Sequence, residues 1–227
     1  MFKTLLTSAI FAGVAVGLIA AVLQLWLVTP SLLEAELYES GSRIHFAVDG
    51  STQSDAGAPS PLDDPARHLM TMAFNIIVFC AFALFIVVGY ALTERAGHDV
   101  SPRSGLIWGL AGFIAVQLAP AIGMPPELPG TVAAEVELRQ LWWISTVIAT
   151  ALGLGLIAFG PWMAGVAGAA LIAVPHIVGA PHLDTYFGVA PPELSAHFVT
   201  ASLGTSAVLW SLLGLFTAIF WTKFKDA

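Results

Sequence analysis

Charge is what this sequence has least of. Lys, Arg, Asp and Glu make up 10% of its 227 residues, against about a quarter in a soluble domain, while hydrophobic residues make up 57%. That balance excludes an ordinary water-soluble fold and predicts an integral membrane protein. Cysteine is scarcer still. Cys80 stands alone, so neither an intrachain disulfide nor a Cys-based metal site can form, and its expected role is packing. A Gly-rich phosphate loop, a His-Glu-x-x-His helix and a Gly-x-Ser-x-Gly elbow are all missing, which argues against the enzymes those motifs mark. Lacking an ATPase of its own, a transporter built from this chain would need an ion gradient, the membrane potential or a partner. No tightly bound cofactor and no nucleic-acid partner are expected.

Long apolar runs are present instead. About 20 apolar residues cross roughly 30 Å of hydrocarbon, and six segments reach that length: about 4–28, 69–92, 105–123, 141–159, 162–180 and 197–221. A lone strand in lipid would leave its backbone groups unpaired. The expected fold class is therefore an all-α integral membrane protein, about six transmembrane helices in a single domain over 1–227, with both termini cytoplasmic. Lys3 precedes the first run as in a signal peptide, but Leu5 to Val28 exceeds a 7–15-residue signal core and no small-x-small cleavage site follows. A retained helix is expected. Gly160 and Pro161 mark a tight turn between the fourth and fifth runs; a single kinked segment from Ala149 to Ala180 is the alternative. Gly13-x-x-x-Gly17 and Gly105-x-x-x-Gly109 permit close helix contacts, within one chain or between copies in a homo-oligomer.

With the N-terminus inside, Lys3, Arg95, Arg103, Lys223 and Lys225 are cytoplasmic and Arg43, Arg67 and Arg139 external, a mild positive-inside preference. Twelve of the fifteen acidic residues then lie outside, a surface that concentrates cations or merely keeps exposed loops soluble. The longest external loop, 29–67, begins with SLLEAELYES, which could form an amphipathic surface helix. It continues into a segment, 50–65, of flexible Gly/Ser/Asp/Pro composition.

Partial repeats connect the spans. The third ends IAVQLAPAIGMPPEL (Ile114–Leu128), the fifth IAVPHIVGAP (Ile172–Pro181), and PPEL recurs at Pro191–Leu194. The first offers a looser version in AAVLQLWLVTPSLLE (Ala20–Glu34), and RHLM at Arg67 parallels RQLW at Arg139. Three tandem helical hairpins would explain these matches. They would place Gln24, Gln117 and His176 at related depths, with His68, Gln140 and His197 at the outer ends of the returning helices.

Five of six histidines, His45, His68, His176, His182 and His197, fall at or near the external side. Each alone could be a capping or interfacial side chain. As a group they point to a divalent transition metal, for which imidazole is a common ligand. Glu193 and His197 are i and i+4 on a helix opened by Pro191–Pro192, so a carboxylate and an imidazole share a face. His68 and Met72 share one too, with Asn75 a turn deeper, although Met and Asn also serve as packing residues. His176 and His182 can face one point only if the backbone changes course between them, and Pro175, Gly179 and Pro181 supply that opportunity. The candidate metal ligands are thus His68, His176, His182, His197, Glu193 and Met72, with Asn75, Gln117, Gln24 and Gln140 along the pathway. Imidazole plus oxygen suits Co²⁺, Ni²⁺ and Zn²⁺ alike, and Met70, Met72 and Met124 would also suit copper(I). A non-transporting scaffold or metal sensor, a bis-His haem protein using His68 and His197, and a Ser–His membrane protease remain open at this point.

RHLMTMAFNIIVFCAFAL (Arg67–Leu84), GLIWGLAGFIAVQLAPAIGMPPELPG (Gly105–Gly130), ELRQLWW (Glu137–Trp143) and VPHIVGAPH resemble the predicted cobalt transporter subunit family, CbtA, over most of the chain outside residues 40–65. The resemblance implies a bacterial inner-membrane protein with five or six spans that supplies Co²⁺ for cobalamin synthesis. It also implies a small partner, CbtB, with one membrane helix and a histidine motif. Cobalt is selected by the resemblance, not by the ligand set.

Overall fold

In the computed structural model, which describes residues 2–45, 57 and 59–225, the described residues are predominantly helical. Among the described residues its β pairing is one isolated bridge, Thr131 with Gly188. Helix α1 spans Phe2–Leu27 and α2 Thr29–Glu39. The break at Val28 follows from Pro30, which brings no N–H to extend the α1 ladder. Helix α3 runs from Pro65 to Arg95; the Asp64 side chain accepts from the Arg67 N–H at 3.0 Å, and Pro65 sits where no donor is needed. Helix α4 (Pro102–Phe113) passes through a π turn, Ile114–Leu118, into α5 (Ala119–Gly123). Pro120 accounts for that turn: it cannot donate to the Val116 carbonyl, and widening by one residue offers the carbonyls a later donor. Helices α6 (Val136–Phe159) and α7 (Trp162–Val178) meet at Gly160–Pro161, and α8 covers Pro192–Lys225.

All six expected apolar segments are helices. Five stretches, α1, α3, Pro102–Gly123, α6 and α8, are long and apolar enough to cross a membrane, and α7 is a shorter apolar helix of 17 residues. A turn, not one kinked segment, separates α6 from α7. The loop expected over 29–67 opens with α2 and closes at Asp64, one turn before the expected start of the second span. Of its flexible portion, 50–56 and 58 lie outside the described residues.

The chain resolves into two compact units. The first comprises Met1–Leu27, Leu62–Phe113 and Gly204–Ala227, and the second Val28–Pro61 and Ile114–Leu203. In the first, α1 packs along α3 so closely that a Cβ on Gly13 would collide with the Cys80 backbone, and one on Gly17 with that of Ile76. Cys80 fills this contact and points its thiol at the Ile10 carbonyl, 3.8 Å away, as its packing role requires. Gly105 and Gly109 of α4 meet Gly214 of α8 backbone to backbone. Both small-residue patterns therefore work within one chain.

Beside that contact lies fully buried Tyr90, whose hydroxyl donates to the Gly214 carbonyl at 2.8 Å and lies 3.1 Å from Thr217 Oγ1. Trp108 packs edge-on against its ring. Interhelical hydrogen bonds in membranes contribute about 0.6 kcal/mol on average and at most about 1.7. Burial here selects the upper part of that range, so Tyr90→Phe should lower stability by about 1 kcal/mol, read as reduced resistance to thermal denaturation in detergent. An unchanged midpoint would show that the bond contributes nothing net.

In the second unit the two PPEL motifs converge. Leu128 of the first is buried with Ala35 of α2 and Phe198 of α8, and Leu194 of the second packs on the same cluster. Their local structures differ: the first lies in the irregular segment after α5, whereas Pro192 of the second opens α8. Close packing also joins α6 to α7, through Gly153 against Gly168 and Ile172. That contact links the fourth and fifth spans, which a tandem-hairpin scheme assigns to different hairpins; α1 against α3 is the pairing such a scheme expects.

Candidate functional site

The end of α7 builds the candidate site. Pro175 does not stop the helix, which continues to Val178. The change of course comes at Gly179, whose φ of +87° disfavours any residue with a side chain. Beyond it the chain runs irregularly from Gly179 to Pro191. This bend separates the helical setting of His176 from the loop that carries His182, and both line one cavity of about 820 Å³. Their meeting needed a break between them, and the break lies three residues after His176.

Trp142, nearly two turns into α6, fixes this end. Its indole N–H donates to the Pro175 carbonyl at 3.0 Å, and its ring meets the His176 imidazole edge-on with centroids 6.0 Å apart. Nε2 of His176 is buried and has no hydrogen-bond partner among the described residues. Most buried polar atoms are paired, so an orphaned imidazole nitrogen on a cavity-lining residue is an exception that calls for a partner. His182 is exposed and stacks on Tyr186. Its Nδ1 lies 3.0 Å from the Leu183 carbonyl; a carbonyl can only accept, so that nitrogen carries the proton and Nε2 keeps the lone pair. Metal-binding imidazoles are commonly oriented in this way.

His45 lines the same cavity, as do Met124 and the ion-paired Arg139 and Glu127. Sequence reading counted His45 among the external histidines but not among the ligands, because nothing in its spacing connects it to α7. Trp142 was legible only as the apolar opening of a span. Its hydrogen bond reaches 33 residues ahead to Pro175, which no local pattern encodes.

The remaining candidates fall elsewhere. His197 and Glu193 do share the first turns of α8, as their spacing predicts, but His197 Nδ1 lies 3.1 Å from the Ser31 hydroxyl of α2. Neither lines the cavity. His68 and Met72 are partly exposed on α3 of the first unit. Asn75, one turn deeper, is buried and donates from Nδ2 to Gln24 Oε1 on α1 at 2.9 Å, so these two polar residues satisfy each other. Gln117 sits on the π turn, and Gln140 is exposed on α6. Among the described residues, no three His, Cys, Asp or Glu side chains come together as a preformed metal cage.

Residues 2–222 match the family model described as CbtA, probable cobalt transporter subunit. The chain belongs to the CbtA family. No curated protein matches it, and no solved structure does. CbtA membership gives this multi-pass helical chain the family's description, a probable cobalt transporter subunit, and a subunit implies a partner; a transporter subunit is not an enzyme class. For a CbtA chain, the cavity beneath Gly179 unites imidazoles, a thioether and a carboxylate, donor types that a divalent transition metal accepts.

Proposed function

We propose that this chain is the membrane subunit through which a divalent transition-metal cation, Co²⁺ for cobalamin synthesis, enters the cell, and that the cavity at the end of α7 receives it. The observation that carries this reading is the buried Nε2 of His176, without a partner among the described residues, on a residue that lines a cavity with His45 and His182. External carboxylates raise the local cation concentration, and His176 and His182 exchange into the hydration shell. Within the second unit, Glu193 and His197 offer further donors on approach and Gln117 an amide oxygen further along.

The setting is the bacterial inner membrane. Its inside-negative potential contributes about 2.3 kcal/mol per charge per 100 mV, a strong inward pull on a dication without ATP. Because no three-ligand cage is preformed among the described residues, the small single-helix, histidine-bearing CbtB-like subunit completes the coordination. The same observation favours a second reading, a non-transporting scaffold or metal sensor. Cobalt binding and uptake by proteoliposomes holding the chain, with and without the small subunit, decides between them. Uptake in either condition supports the importer; binding without uptake in both leaves the scaffold or sensor.

A further inference from the structure

A second pocket lies wholly within the first unit, at the ends of α1, α3 and α8. It has a volume of about 410 Å³ and is lined by Thr4, Ala91, Glu94, Arg95, Trp221 and Lys225. Glu94 is held from two directions: its Oε1 accepts from the Trp221 indole N–H at 3.1 Å and its Oε2 from Lys225 Nζ at 2.9 Å. These bonds place the ends of α3 and α8 on one side of the membrane. The lysine also neutralises Glu94, the acid that lines the pocket among the described residues, so that Arg95 supplies its net positive charge. Lys3 and Lys223 belong to the same helix ends, and the positive-inside rule assigns that side to the cytoplasm.

An apolar stripe leads away from the pocket into the membrane. Phe11 and Leu18 follow Thr4 on α1 at steps of seven, which return to nearly the same face, and they are 54% and 44% exposed. Phe11 packs against Phe220 and Phe224 of α8, so aromatic rings flank the stripe beside Trp221. A basic pocket at headgroup level that continues as an exposed hydrocarbon-facing stripe has the shape of an amphiphile site.

We propose that this pocket binds the phosphodiester headgroup of an anionic phospholipid from the inner leaflet, with one acyl chain along Phe11 and Leu18. Arg95 meets the phosphate, and Lys225 joins it in competition with Glu94, to which it is bonded. Basic pockets between membrane helices on the cytoplasmic side recognise such headgroups, and each Lys or Arg near an anionic surface changes affinity roughly fivefold. The site is independent of the metal cavity.

The test is native mass spectrometry of the full chain, titrated in detergent with phosphatidylglycerol, phosphatidylcholine or glycerol phosphate. The expected result is selective retention of phosphatidylglycerol, weakened roughly fivefold by Arg95→Gln and strengthened by Glu94→Gln, which removes the negative charge. The second variant guards against misreading a folding defect, since a damaged fold would not bind more lipid. Equal retention of the two lipids overturns the proposal, as does a failure of both variants to alter it. Competition by glycerol phosphate at concentrations matching the lipid would assign the pocket to a free phosphate and overturn the lipid reading.

Discussion

Cobalt uptake falls to the background of protein-free vesicles when His176 is replaced by alanine, while the variant still inserts in the membrane. The expectation follows from the position of one nitrogen. Nε2 of His176, a cavity-lining residue, is buried without a partner among the described residues, and the ring is braced by Trp142, itself anchored on the Pro175 carbonyl. Loss of residues that merely orient a metal ligand typically costs 10–100-fold in affinity or activity; loss of the ligand should cost at least about tenfold. Alanine also removes ring contacts with Trp142, so His176→Phe is the sharper variant. Phenylalanine keeps an aromatic edge beside the indole and has no lone pair. Normal thermal stability with lost cobalt uptake in His176→Phe assigns the effect to the nitrogen. Retained uptake in that variant sinks the role proposed for His176. His182→Ala should give a smaller loss, because the ring lies on an exposed loop and the metal can keep water in its place.

The same residues show what the sequence could reveal. Apolar runs of span length announced every long helix, because a membrane segment must satisfy its own backbone. Two breaks were legible from their prolines, Pro161 before α7 and Pro192 at the start of α8; Pro30 after α1 and Pro120 at the π turn have equally local causes, although the sequence reading did not single them out. The bend between His176 and His182 was also legible as a need, although the sequence divided it among Pro175, Gly179 and Pro181, and the positive φ belongs to Gly179. Long-range pairings were not legible. Glu193 and His197 do share a helical face, but Ser31, 166 residues away, takes up His197. Asn75 and Gln24 were placed along a pathway from their polarity; across 51 residues they hydrogen-bond each other. In a chain this apolar, one helix face resembles another, and the packing partner is set by shape that sequence periodicity does not carry.

Gly214→Ala should be the most damaging single-methyl substitution in the first unit, costing about 3 kcal/mol or more, the upper end of what overpacking usually costs. A methyl there would overlap the Gly105 carbonyl and the Gly109 backbone. Backbone cannot rotate aside as a flexible side chain can, so α4 and α8 must separate. Separation would also pull the Gly214 carbonyl from the Tyr90 hydroxyl. The sequence flagged Gly105 and Gly109 by their spacing, whereas Gly214 lies in a leucine-rich run, SLLGLF, and its partner became visible only from the packing. Gly155→Ala and Gly204→Ala are the controls: an added Cβ at either meets nothing within 4 Å, and alanine is favoured over glycine within a helix by about 0.5–1 kcal/mol. Thermal denaturation in detergent should therefore show a large drop for Gly214→Ala and no drop for the controls. A midpoint equal to wild type would mean that the helices are not in backbone contact. Because the methyl and the Tyr90 bond act on the same contact, Tyr90→Phe combined with Gly214→Ala should cost less than the two separate losses added together, as coupled neighbours do. Strict additivity would separate the hydroxyl from the glycine contact.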